Sequence, residues 1–99
     1  MNSVIIFDVS NNQESLVREQ IRATGYYVSW VSGEGAEKKT INLPHNVVWK
    51  PNTETAQALS DIQQAISLIN QRRGADQISL LRCIILNSTP WRAIYGTPI

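Results

Sequence analysis

The chain has 99 residues, a net charge of +1 at neutral pH, 42% hydrophobic residues and one cysteine. That length holds one domain with a real core and excludes a second, the near-zero charge excludes a protein that coats DNA or membranes by bulk electrostatics, and a lone cysteine excludes an internal disulfide or a multi-cysteine metal site. The apolar runs fall far short of the ~20 residues of a membrane span, and the N-terminus lacks the basic region and cleavage site of a signal peptide, so a cytoplasmic protein is expected.

The first element is Val4-Ile5-Ile6-Phe7-Asp8-Val9-Ser10. A nearly unbroken apolar, β-branched run reads as a strand buried on both faces at the centre of a sheet. Its one charge, Asp8, falls where the strand gives way to Ser10-Asn11-Asn12 and should emerge at the sheet rim. Two roles stay open for it: a rim carboxylate accepting backbone N–H groups of the turn, or a divalent-metal or catalytic carboxylate.

Asn11 and Glu14, three apart, suggest a capping box opening a short amphipathic helix that runs to Thr24 and stops at Gly25. Leu16, Val17, Ile21 and Ala23 are its expected apolar side. Glu14, Arg18 and Arg22 are spaced by four and are expected to share a solvated face; Arg18 and Arg22 are candidate phosphate contacts. Tyr26-Tyr27-Val28-Ser29-Trp30-Val31 comes next as a second strand.

Residues 32–40 are polar and glycine-rich, as befits an exposed hairpin connection whose Lys38 and Lys39 are either a solvated tip or a nucleic-acid contact. Gly33 and Gly35 do not make a phosphate loop, because such a loop must open a helix and the next segment of chain, Thr40-Ile41-Asn42-Leu43-Pro44, is extended in character. The third strand is placed at Asn46–Lys50 and, with prolines at both ends, at a sheet edge. His45 is a surface or hydrogen-bonded histidine, or a general acid or base.

A long second helix starts at Asn52 or Thr53 and ends with Arg72 and Arg73 before Gly74. Leu59, Ile62, Ile66 and Ile69, with Ala58 and Ala65, form its core-facing stripe, and Gln57, Asp61, Gln64 and Gln71 cover its back. Ile78 to Leu86 is a fourth strand, apolar almost throughout and expected at the sheet centre, with Cys83 as a core thiol. After a turn-forming cluster the tail carries Trp91, Ile94 and Tyr95, large apolar groups that need a surface to bury against.

The order β-α-β-β-α-β predicts an α+β, ferredoxin-like single domain over residues 1–99. It implies a four-stranded antiparallel sheet with two helices on one face and a short fifth strand from the tail, residues 88–99. Right-handed crossovers are expected to make strands one and three parallel neighbours and to put strand four beside strand two. One sheet face then lacks cover from its own chain, and the aromatic load of Tyr26, Tyr27 and Trp30 points toward a partner.

The Phe7-Asp8-Val9-Ser10 strand end, the glycine-aromatic strand carrying Ser29-Trp30, and Val47-Val48-Trp49 leading into a long helix resemble the small dimeric CRISPR-associated adaptation proteins and the virulence-associated protein D (VapD) ribonucleases. The resemblance covers about residues 3 to 87, with Asp8 and Ser29 at motif positions. It implies a homodimer in which paired Asp8 carboxylates near the two-fold hold Mg²⁺ and cleave RNA. It also implies RNA or DNA contacts from Ser29 beside the basic residues, and a tail exchanged through Trp91, Ile94 and Tyr95 onto the partner's sheet. The first helix is shorter than usual for the CRISPR proteins, and the basic face is thin. Three readings are open: a Mg²⁺-dependent endoribonuclease or nuclease-derived nucleic-acid binder; a non-catalytic dimeric toxin–antitoxin or scaffold component; and a small-molecule sensor, for which the sequence carries no ligand motif.

Overall fold

A computed structural model of the protein describes residues 2–32 and 39–88. The strands are β1 (Asn2–Val9), β2 (Ser29–Ser32), β3 (Lys39–Asn42), β4 (Val47–Lys50) and β5 (Leu80–Ser88), and the helices are α1 (Glu14–Arg22) and α2 (Thr55–Arg73). Lys38 and the tail residues Trp91, Ile94 and Tyr95 lie outside the described residues.

The architecture is α+β, with a three-stranded antiparallel sheet in the order β4-β1-β5 and a two-stranded hairpin, β2-β3. A single bridge, Tyr27 opposite Trp49, ties the entry to β2 onto β4. The expected four-strand sheet is thus divided, and the reason lies between Asn42 and Val47. Leu43 N–H still donates to the Val28 carbonyl, but Pro44 has no N–H to give; a turn closes from Val47 N–H to the Pro44 carbonyl, and the chain resumes as β4 against β1.

Two neighbour relations differ from expectation. β4 runs antiparallel to β1, not parallel, with Ile5 opposite Val48. β5 pairs with β1, Ile5 opposite Ile85, and not with the second strand. The chain reverses at the hairpin before it reaches β4, so a strand that comes after a parallel crossover and one hairpin arrives pointing down. β4 is not an edge either, because it bonds to β1 on one side and exchanges N–H and carbonyl bonds with Tyr27 on the other.

β1 is central, as its run of apolar residues demands. Ile5, Phe7 and Val9 point to the helix side and are buried, and β4 contributes fully buried Val48 to the same layer. From α1 come Val17 and Ile21, and from α2 come Ala58, Ile62, Ala65, Ile66 and Ile69. Both helices contact β1 and each other, so they form one layer. Burying each large aliphatic side chain there contributes about 1.5–3 kcal/mol. Leu59 does not join the stripe: it is 41% exposed, and Leu16 on α1 is 38% exposed. Ser3 is a fully buried polar residue of β1, donating its hydroxyl to the Thr53 carbonyl at 2.6 Å and so tying the entry of α2 to β1.

The turn between β1 and α1 is not a capping box. Asn11 and Asn12 both adopt positive φ (59° and 55°), a region asparagine tolerates better than most residues, and no side chain caps α1. Glu14 instead turns back and accepts the Val9 N–H at 2.7 Å. It is therefore buried and leaves the solvated ladder expected of Glu14, Arg18 and Arg22. Gly25 ends the following turn at φ 101°, the conformation for which glycine is suited. Among the described residues no helix is long and apolar enough to cross a membrane.

Candidate functional site

The helix-free face of the sheet is built by the period-two alternation of three strands. On β1 it presents Val4, Ile6 and Asp8, the residues between those that enter the core. Pairing then assembles rows across the sheet. Leu86, Val4, Trp49 and Tyr27 stand side by side in one row, and Ile84, Ile6 and Val47 in the next. The third row is charged: Asp8 opposite Arg82. Ile84 is 56%, Leu86 50% and Tyr27 52% exposed, so both rows meet solvent at their outer members, while Val4 is buried between its neighbours and Ile6, Val47 and Trp49 are partly covered.

At one end of this face the rings form a cluster. Tyr27 stacks on Trp49 with centroids 5.0 Å apart and 29° between planes, while Trp30 meets Trp49 edge-on, also at 5.0 Å. The Trp49 indole N–H donates to the Ser29 carbonyl at 2.8 Å, which fixes the ring along the hairpin. Tyr27, Ser29, Trp30, Val31, Thr40, Trp49 and Pro51 line a shallow groove there. Tyr26 does not belong to it. It turns into the core, where its hydroxyl donates to Asp61 Oδ2 at 2.7 Å, and burial together with this carboxylate drives its pKa well above the ordinary tyrosine value. Asp61 is thus an anchor of α2, with Gln57 Nε2 donating to its other oxygen, and does not simply cover the back of the helix.

At the opposite end, Asp8 sits at the rim as its place in the strand predicts. Its Oδ2 accepts from Arg82 Nη2 at 2.7 Å, with the carboxylate side chain 36% and the guanidinium 83% exposed. The pair closes a shallow concavity with Ile6, Cys83 and Ile84. A Mg²⁺ site needs several oxygen ligands. Within one chain a single carboxylate already neutralised by a guanidinium does not fit that requirement, and among the described residues no three His, Cys, Asp or Glu side chains gather to hold a metal. The paired-carboxylate arrangement implied by the resemblance would draw its second Asp8 from another chain and would have to displace Arg82.

The candidate nucleic-acid residues within the described residues are carried by two different parts of the fold. Arg18 and Arg22 lie on α1, where Arg22 pairs with Glu19 at 3.5 Å and Arg18 Nε is buried without a hydrogen-bond partner. Ser29 and Lys39 lie on the hairpin. His45 stands 3.8 Å from the buried Glu14 carboxylate and is 62% exposed, an outward-facing histidine at the end of the sheet. Cys83 is half-buried against the core, and burial pushes its thiol pKa up, as expected for a packing cysteine.

Sequence reasoning missed Arg82. The signal was present: Asp8 is the only charge in the Val4–Val9 run and Arg82 the only one in Ile78–Leu86. Pairing the two runs antiparallel so that these charges oppose each other gives the observed register. Comparison with protein-family models, curated proteins and solved structures finds no match to this chain.

Proposed function

We propose that the protein works through protein–protein contact, as a non-catalytic toxin–antitoxin or scaffold component, and that its contact surface is the helix-free sheet face. The observation that carries this reading is the pair of apolar rows, Leu86-Val4-Trp49-Tyr27 and Ile84-Ile6-Val47, which hold no charge and expose Leu86, Tyr27 and Ile84 to solvent. Contiguous apolar surface of this kind marks interaction sites, and stacked aromatic rings at its end are the side chains that most often dominate interface energies. The underlying arrangement is read as ferredoxin-like. β3 and β4 act as one strand interrupted at Pro44, and the row β5-β1-β4 followed by the Tyr27 segment then has the strand order of that fold. A homodimer is the simplest assembly that covers the face.

The test is the size of the full chain by light scattering after gentle purification, beside Tyr27→Glu. The expected result is a complex, with a second copy or a different protein, that Tyr27→Glu dissociates while its circular dichroism stays unchanged. A wild-type chain that stays monomeric and partner-free overturns the reading. So does RNA cleavage that requires Mg²⁺ or Mn²⁺, stops with EDTA and is lost in Asp8→Asn, which would restore the endoribonuclease.

A further inference from the structure

The outer edge of β5 is a second surface, independent of the sheet face. Sheet order β4-β1-β5 puts a nine-residue strand at the margin, bonded on one side to β1 and, among the described residues, to no strand on the other. A strand edge carries a row of N–H and carbonyl groups that template another strand, and proteins ordinarily blunt such edges with lysine, proline, a bulge or very short length. β5 has little of this. Leu80-Leu81-Arg82-Cys83-Ile84-Ile85-Leu86-Asn87-Ser88 holds no proline and no lysine. Its one irregularity is the register shift at Leu81, near its start, so Arg82 to Ser88 runs regularly against β1.

We propose that this edge pairs with the β5 edge of a second copy, antiparallel and about a two-fold at Ile85, joining two sheets into one. The choice of a second copy rests on self-complementarity. In this register Ile84 of one chain faces Leu86 of the other, twice, and Arg82 faces Ser88. The only charge of the strand therefore never meets its own kind, and like charges directly opposed are what destabilise such pairs. The alternation of faces is kept, so the apolar row of Ile84, Ile6 and Val47 continues from one sheet into the next. Pairing through one strand buries less than the roughly 1,600 Å² of a standard interface, so its affinity rests on main-chain hydrogen bonds and is modest.

Two single-cysteine chains test the register. In a Cys83→Ser background, Ile84→Cys and Leu86→Cys are made separately and oxidised mildly, alone and mixed. Residues directly opposite lie with Cα atoms about 4.5–5.5 Å apart, within disulfide range, whereas diagonal neighbours at about 7–8 Å are not. A disulfide-linked dimer should therefore form in the mixture at several times the level of either chain alone. Adding Tyr27→Glu should leave the yield unchanged, since that residue lies at the far side of the sheet. In parallel, amide exchange of residues 82–88 in the wild-type chain should slow as concentration rises from low micromolar toward millimolar. Equal cross-linking in mixed and unmixed samples, loss of the cross-link with Tyr27→Glu, or exchange rates independent of concentration each overturn edge pairing. Slowed exchange alone would also follow from a second copy on the sheet face, so it is the preference for opposite over diagonal cross-links, kept with Tyr27→Glu, that separates edge pairing from that reading.

Discussion

Three side chains carry polar bonds whose loss is calculable. Glu14 is the most consequential, because its carboxylate accepts the buried Val9 N–H at 2.7 Å where β1 hands over to α1. Glu14→Ala orphans that donor and should lower stability by about 1–3 kcal/mol, while Glu14→Gln, which keeps an acceptor, should recover most of it; chemical denaturation of the three proteins checks this. Asp8 is the contrasting case. Its pair with Arg82 is solvent-exposed, and exposed ion pairs contribute about 0–1 kcal/mol, so Asp8→Asn should shift the thermal midpoint by no more than a few degrees. Tyr26 adds a pH dependence. Its folded pKa lies above the ordinary value of 10.0, so the native state holds its proton more tightly than the unfolded chain. The resulting stability is fully present below about pH 10 and is lost as pH rises through the folded value. Tyr26→Phe should therefore flatten the fall in stability above pH 10 relative to wild type, which a denaturant series across alkaline pH reads directly.

At the scale of elements, period and run length made most of the fold legible and burial the least. α2 was readable because its aliphatic residues recur at helical spacing, yet Leu59 sits on the rim of that stripe and its exposure depends on how the helix rolls on the sheet. The prediction is a clear split within one helix. Ile62→Ala, at a fully buried position, should cost about 2–5 kcal/mol, whereas Leu59→Lys should stay within about 0.5 kcal/mol; thermal melts decide. β5 was legible as a strand but not as an edge. An apolar run on both faces is the pattern of a central strand, and nothing local distinguishes it from an edge strand whose apolar face and edge await a second molecule. The same limit applies at Asp8. Its place at the rim could be read from one strand, but its partner Arg82 required the pairing of two strands 74 positions apart, and pairing is fixed by tertiary register.

Among the described residues the positive charge is spread over several elements and much of it is already engaged, which limits what nucleic acid could do with it. Arg18 and Arg22 belong to α1, in the helical layer, and Lys39 belongs to the hairpin. Arg22 is engaged by Glu19 and Arg82 by Asp8, and the chain as a whole carries only +1. A phosphate backbone tracked across a protein needs cations in line, each neutralised phosphate adding about 0.9 to the slope of log affinity against log salt for duplex DNA and about 0.7 for single strands. With so small a net charge and most described cations already engaged, a complex with RNA or DNA should engage no more than about two phosphates, giving a slope shallower than about −2. Fluorescence anisotropy with labelled single-stranded RNA and duplex DNA over a salt series measures it. Tight binding with a steep slope, weakened alike by Arg18→Ala and by Lys39→Ala, would show that helix and hairpin act on one strand and would displace protein contact as the leading function.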